Sequence, residues 1–280
     1  PDPHHPFDAP EPWSRLHDPD EVDLPSNRTL SFDGKPWWHE AVLTGEPAGP
    51  KENSEVRKNY SRISGQSDDQ LREIIANTYG QIALIDHNVG RILIALEEAG
   101  LAENTYVIYI SDHGDWLGDH GLILKGPMHY EGLLRVPMIV RGPGVPAGRV
   151  VAEPVSTLDI GPTFYDLSGA LPLQTQHGQS LKPLLESDDA SRNFAMNEWE
   201  LLPTRTGVGL SLRTVRTKTH KLTVDLTSGA GELYDLADDP DELTNLFDAP
   251  EAREVRDILE GYLARRPDDI GPTRTQVGMA

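Results

Sequence analysis

Apolar residues recur at helical spacing over one long segment, run unbroken through two short ones, and alternate with polar residues near the C-terminus. Leu71, Ile74, Ile75, Thr78, Ile82, Ile85, Val89, Ile92, Leu93 and Leu96 repeat at about 3.6 residues, which predicts one long helix. Ser67 with Gln70 three positions later has the form of a capping box, and Gly100 stands where a helix-ending glycine belongs. Asp86 and His87 fall inside this segment and read as its polar face, with the opposite face packed on a sheet. Tyr106 to Ile110 is continuously apolar, the pattern of a strand buried on both faces, and it follows the helix as the next part of an αβ unit. A second such strand spans Arg135 to Arg141, with Pro137 at its start, where no ladder donor is required, and Gly142-Pro143-Gly144 at its end. Val155 to Leu167 predicts a capped helix with Pro162 near its first turn.

From about Asn193 the period changes. Short strands at Phe194–Trp199, Gly207–Arg216, Lys221–Asp225 and Glu232–Tyr234 precede a helix from Glu251 to Arg265 that aligns Val255, Ile258, Leu259 and Tyr262. The opposite end, residues 1–66, is dense in Pro, Asp, Trp and His without a period. It reads as a long irregular functional loop region draped over a sheet whose other strands lie elsewhere. The tail from Pro267 has no period and reads as extended or disordered. The whole predicts an α/β domain over residues 1–190 and a small α+β subdomain, an antiparallel sheet with one helix, over 191–280.

Composition narrows the function classes. A net charge of −20 argues against general nucleic-acid binding, which needs a basic face, but leaves room for an anionic small substrate in a local basic pocket. No apolar run approaches the roughly 20 residues that cross a bilayer. The absence of cysteine (0 residues) removes disulfides, thiolate metal sites and cysteine nucleophiles, and leaves the compartment open. The N-terminus, Pro-Asp-Pro-His-His-Pro-Phe, has neither an initiator Met nor a leader pattern, and reads as the middle of a protein. Compartment and homo-oligomerisation both stay open.

The chemistry concentrates between residues 106 and 125. The strand ending at Ile110 delivers Asp112 and His113 to its C-terminal end, where open α/β sheets place their ligands. A carboxylate beside an imidazole suits Ca²⁺, Mg²⁺, Mn²⁺ or Zn²⁺, and Asp115, Asp119 and His120 follow closely. Asp in such loops also commonly caps backbone amides. Lys125, between an apolar run and Gly126-Pro127, is a compact cation suited to a sulfuryl or phosphoryl oxygen. Arg135 and Arg141 are weaker candidates, since arginines at strand ends often neutralise surface carboxylates. His4 and His5 acquire meaning only if they reach the same site, where an imidazole could protonate a leaving alkoxide. Trp13, Trp37, Trp38 and His39 could line a sugar or aryl pocket, although loop aromatics more often anchor the loop.

Together these residues resemble the sulfatase family of the alkaline-phosphatase-like superfamily. The resemblance rests on Ser111-Asp-His-Gly-Asp-x-Leu-Gly-Asp-His-Gly121, Lys125, and Tyr130-Glu-Gly-x-x-Arg-Val-Pro-Met-Ile-Val-x-Gly-Pro-Gly144. Further along, Arg213-x-Val-Arg-Thr217, Lys221-Leu222, Glu232-Leu-Tyr-Asp-Leu236 and Asn245-Leu246 are similar to the family's C-terminal subdomain. The resemblance implies Asp112 and His113 as ligands of a divalent metal, Ca²⁺ foremost with Mn²⁺ or Mg²⁺ as alternatives. It implies Lys125 as the sulfate-binding and leaving-group residue, and His4 as the substrate-contacting histidine, with His5 as the fallback. His at the second ligand position is similar to the choline-sulfatase, phosphonate-monoester-hydrolase and iduronate-sulfatase-like branch. The family's formylglycine segment, Cys or Ser in C/S-x-P-x-R, and its Asp-Asp ligands have no counterpart here. The expectation is therefore the C-terminal part of a formylglycine sulfatase, inactive as given, acting in its parent on a small sulfated ester. A phosphonate or phosphate ester hydrolase on the same scaffold is the second reading, and a non-catalytic metal- or anion-binding remnant the third.

Overall fold

The computed structural model describes residues 2–44, 62, 64–172, 176–187, 191–203 and 207–267. It divides into two compact units, residues 1–31 with 58–147, and residues 32–57 with 148–280. Both combine helices with antiparallel sheet, the mixed α/β class the pattern predicts.

The first unit is organised by a long helix, α2 (Asp68–Glu98), preceded in the chain by the short α1 (Trp37–Thr44) of the second unit. The capping box is formed as predicted: Ser67 Oγ accepts from the Gln70 amide at 3.3 Å, and Gln70 Oε1 accepts from the Ser67 amide at 3.0 Å. Gly100 takes φ +69°, a left-handed conformation that only glycine adopts without strain. Leu71, Ile75 and Ala76 bury against Val22 of the N-terminal segment. Asp86 and His87 are exposed, as the helix reading requires.

Strand β1 (Val107–Ile110) pairs antiparallel with β2 (Met138–Arg141), Ile108 opposite Val140. Pro137 lies one residue before β2, so no ladder donor is lost. The sequence predicts strands buried on both faces, but Ile110 is 37% and Ile139 62% exposed. Ile82 (43%), Ile92 (61%) and Ile94 (55%) of α2 are likewise open. The apolar pattern is thus wider than the burial it finds among the described residues.

In the second unit a capping box on Ser156 and Asp159 opens a helical turn that continues into α4 (Ile160–Ser168), closed by Gly169 at φ +69°. The other short helices are α3 (Glu131–Leu134) of the first unit and α5 (Lys182–Glu186) of the second. Strands β3 (Ala195–Leu201), β4 (Leu210–Arg216), β5 (His220–Asp225) and β6 (Gly231–Asp235) form an antiparallel sheet in chain order. Side chains alternate between its faces. Val215, Leu222 and Leu233 pack with Leu259 of α6 (Arg253–Leu263) on one face. Leu210 and Leu212 pack with Trp38 and Val42 of α1 in a second cluster.

Helix α1 corrects the expectation that residues 1–66 are irregular. Its eight residues are too few to display a period, and its formation rests on burial of Trp38 (0% exposed) and Val42 (1%). Trp38 and His39 therefore anchor the segment. His39 Nε2 lies 3.2 Å from Glu232 Oε2, Lys35 Nζ donates to the Tyr234 hydroxyl at 2.9 Å, and Lys221 pairs with Glu242. Burial would raise the Glu232 carboxyl, but His39, Lys35 and the Tyr234 hydroxyl outweigh it and hold it at about 2. Among the described residues no helix is long and apolar enough to cross a membrane.

Candidate active site

The loop leaving β1 makes a tight return. Trp116 and Gly118 donate their amides to the carbonyls of Leu124 (3.1 Å) and Leu122 (2.7 Å). Five residues of this return have positive φ: Leu117 (45°), Gly118 (106°), His120 (54°), Gly121 (71°) and Leu124 (67°). Three of them are not glycine, so the backbone is strained and must be held by its surroundings.

Asp115 does much of that holding. Its half-buried carboxylate accepts the amides of Leu117 (3.0 Å) and Leu124 (2.8 Å), closing the loop across its neck. Burial pushes its carboxyl above the ordinary range, and the two amide donors pull part of the way back. Trp116 (1% exposed), Leu122 (1%) and Met128 (0%) fill the space beneath. His120 stacks on Tyr130 with ring centroids 3.5 Å apart. Asp115 and His120, which the sequence places close to the metal candidates, thus serve the loop's construction.

The loop presents Asp112, His113 and Lys125 together. Lys125 Nζ is 2.9 Å from His113 Nε2 and 3.3 Å from His4 Nε2. His113 Nδ1 lies 2.8 Å from the Gly114 carbonyl, and His4 Nδ1 is 2.9 Å from the His5 carbonyl. A carbonyl only accepts, so both rings carry their proton on Nδ1, and both Nε2 lone pairs face the lysine. Asp112 Oδ2 lies 3.7 Å from His113 Nε2 and is largely exposed, while Oδ1 accepts the His113 amide at 2.9 Å. Burial works against the Asp112 charge, but His113, the backbone donors and Lys125 prevail and keep the carboxyl below its usual range.

The observed contact of this arm with the lysine is made by His4 Nε2. The His4 and His5 rings lie 4.0 Å apart, tilted by 33°, and His5 is pushed below the ordinary histidine range by burial first, then by His4 and Lys125. Arg135 and Arg141 are not brought to the cluster by any observed contact: Arg141 lies 3.7 Å from Glu97, the neutralising role a strand-end arginine commonly takes.

Sequence reasoning passes over Arg62. Its Nε donates to the Lys125 carbonyl, its own carbonyl accepts the Ile123 amide at 2.8 Å, and Ser64 donates to the Gly121 carbonyl at 2.7 Å. Gly126 permits this brace, since a Cβ there would stand 2.9 Å from Arg62 Nε and 3.0 Å from Trp116. No local pattern announces Arg62, because its partners lie about 60 residues away in sequence.

The donor set fits part of a metal site. Asp112 supplies a hard oxygen, and His113 supplies an Nε2 lone pair whose opposite nitrogen is fixed by a backbone carbonyl, the arrangement typical of ligating histidines. Among the described residues no group of three or more potential ligands converges, and Asp112 and His113 stand as two neighbouring donors.

Comparison with known proteins identifies the family. The family profile described as Sulfatase matches residues 19–170, and that described as N-sulphoglucosamine sulphohydrolase, C-terminal, matches residues 118–268. The chain belongs to the sulfatase family, within the alkaline-phosphatase-like fold. It is 30% identical over 269 residues to an arylsulfatase of Clostridium perfringens, covering 94% of this chain and 51% of that protein. It is 36% identical over 183 residues to arylsulfatase K of Canis lupus familiaris, covering 63% of this chain and 34% of that one. The solved phosphonate monoester hydrolase of Agrobacterium radiobacter superposes with a TM-score of 0.77 at 29% identity, covering 94% of this chain and 54% of that chain. The chain therefore spans about half the length of the bacterial relatives it matches.

Proposed function

We propose that this chain provides the anion-contacting part and some of the metal ligands of a sulfuric ester hydrolase of the formylglycine type. The observation that carries the reading is the single ammonium, Lys125, held against the Nε2 atoms of His4 and His113 beside the Asp112 carboxylate. An ammonium so placed exchanges imidazole partners for the oxygens of an incoming oxyanion at little reorganisation cost, because the loop is already fixed by Asp115 and Arg62.

In this reading Lys125 neutralises charge on the sulfuryl oxygens as the S–O bond to the alcohol lengthens. His4 Nε2, a lone pair in the resting site, takes up a proton from solvent as the oxyanion binds and passes it to the departing alkoxide, while its Nδ1–H stays on the His5 carbonyl and fixes the ring. Asp112 and His113 Nε2 would hold a divalent ion, Ca²⁺ by the family resemblance, which would polarise a sulfuryl oxygen. Formylglycine, the nucleophile of the type, needs a Cys or Ser in its own motif, and the 280 residues contain neither cysteine nor that motif. The chain alone is accordingly proposed to bind without turning over.

A second reading, hydrolysis of phosphonate or phosphate esters, draws on the likeness to the phosphonate monoester hydrolase. Both oxyanions are tetrahedral, and Lys125 serves either.

Calorimetric titration of the full chain with sulfate and with phenylphosphonate, each with Ca²⁺ present, tests the proposal. Sulfate is expected to bind weakly, and Lys125→Ala to lower its affinity about tenfold or more, one charge-assisted contact being lost. Equal sulfate affinity in wild type and Lys125→Ala would end the anion-site reading. Selective binding of phenylphosphonate would transfer it to the second reading. With p-nitrophenyl sulfate the chain is expected to show no turnover. Turnover abolished by Asp112→Ala would overturn the claim that the nucleophile is missing.

A further inference from the structure

The arm that carries His4 has no regular structure until the turn at Trp13–Arg15, so something outside it must set where the imidazole points. That support is α2, at two consecutive residues. At Gly80 the arm lies directly on the helix backbone: a Cβ there would stand 2.4 Å from the Trp13 carbonyl oxygen and 3.3 Å from Ala9 Cβ. At Gln81, a side chain only 1% exposed, the amide Nε2 donates to the Pro6 carbonyl at 3.3 Å and to Asp2 Oδ1 at 3.5 Å. These acceptors lie two residues on either side of His4.

Both partners of Nε2 are acceptors, so the orientation of the amide is fixed by its contacts. Its Oε1 is buried, with no hydrogen-bond partner among the described residues. A buried amide whose oxygen has no partner among the described residues is a costly choice for packing alone. What the amide contributes and a leucine cannot is a two-point grip on the stretch from Asp2 to Pro6. Lys125, the other half of the pair, is fixed independently through Arg62 and Asp115. The separation of His4 Nε2 from Lys125 Nζ, 3.3 Å, is therefore set on the histidine side by the helix.

We infer that Gln81 is a positioning residue for His4: it acts through the arm's backbone to hold the imidazole at the oxyanion site. This rests on the reading of that site as one for a sulfuric ester, and it adds a residue outside the loop that carries Asp112, His113 and Lys125.

The test is nuclear magnetic resonance on the full chain in wild type, Gln81→Leu, Gln81→Glu and Asp2→Ala. Gln81→Leu keeps the volume, Gln81→Glu keeps the shape but turns the donor into an acceptor facing the Pro6 carbonyl, and Asp2→Ala removes one exposed acceptor with the helix untouched. Two quantities are read: the Overhauser contact between the His4 ring and the Lys125 side chain without added anion, and the sulfate-induced shifts at His4 and His113. In both Gln81 variants the His4–Lys125 contact should vanish and the His4 response to sulfate should fall roughly tenfold, with the His113–Lys125 contact intact. Asp2→Ala should show a smaller loss in the same direction.

An unchanged His4–Lys125 contact in Gln81→Glu or Gln81→Leu overturns the inference. So does a loss that strikes His113 equally, which is what a merely structural role would produce. If Gln81→Leu does not fold, an unchanged contact in Asp2→Ala overturns it instead. Absence of sulfate binding in wild type would remove the sulfuric-ester reading, while the anion-free contact would still decide the role of Gln81.

Discussion

Lys125 and its two imidazole neighbours pose an electrostatic problem that the loop solves by construction. Both rings offer lone pairs only because backbone carbonyls hold their Nδ1 protons, and the ammonium sits where those lone pairs converge. The loop that presents it contains non-glycine residues at positive φ, and Asp115 accepts the two amides that keep its neck closed. Asp115→Ala is expected to leave those amides unsatisfied, cost about 1–3 kcal/mol each way it is measured, and weaken sulfate binding. Thermal unfolding and calorimetry check this, and full stability with unchanged sulfate affinity would refute the role given to Asp115. The candidates Asp112, His113 and Lys125 are legible in sequence because they lie within 14 positions of one another. Arg62 and Gln81 are not, because their contacts run to the far side of the loop and to the N-terminal arm.

At the scale of elements, α2 and the sheet β3–β6 are the parts the pattern describes best. Ser67, Gln70 and Gly100 announce the ends of α2 through chemistry local to each end, so tertiary context is not needed to read them. The alternation of β4 and β5 survives because each sheet face has its own partner, α6 on one and α1 on the other. Helix α1 escapes the pattern because its stability comes from Trp38 and Val42 entering a cluster formed by residues about 170 positions later. The strand β1 is legible as a strand but not in its exposure, since an apolar run states what a strand is made for rather than what covers it. Leu259, 2% exposed, joins α6 to the sheet. Leu259→Ala is predicted to destabilise by about 2–5 kcal/mol, read from denaturant midpoints. A change below about 0.5 kcal/mol would mean that α6 does not close the core.

For the molecule as a whole, the net charge of −20 makes acid behaviour informative, because acid relieves self-repulsion while it unmakes buried pairs. Glu232 has a folded value of about 2 against an ordinary 4.5, so its contribution is complete above the ordinary value. It is lost as the pH falls through the interval toward the folded value. Stability of the unit holding β3–β6 should therefore decline between those two values. Glu232→Gln should lower stability at neutral pH by roughly 3–5 kcal/mol and flatten that decline, since the variant leaves His39 and Lys35 without their carboxylate. Melting temperatures across the acid range check both statements, and an identical acid limb in the variant would contradict the assignment. The chain belongs to the sulfatase family and spans about half the length of the bacterial relatives it matches.

The most direct measurement is a crystal of the full chain soaked in selenate, a heavier copy of sulfate, and recorded at the selenium edge. The account predicts an anomalous selenium peak placed so that the oxygens of that selenate lie within hydrogen-bond distance of both Lys125 Nζ and His4 Nε2, absent in Lys125→Ala. A peak elsewhere with none at Lys125, or one unaffected by that substitution, would contradict it.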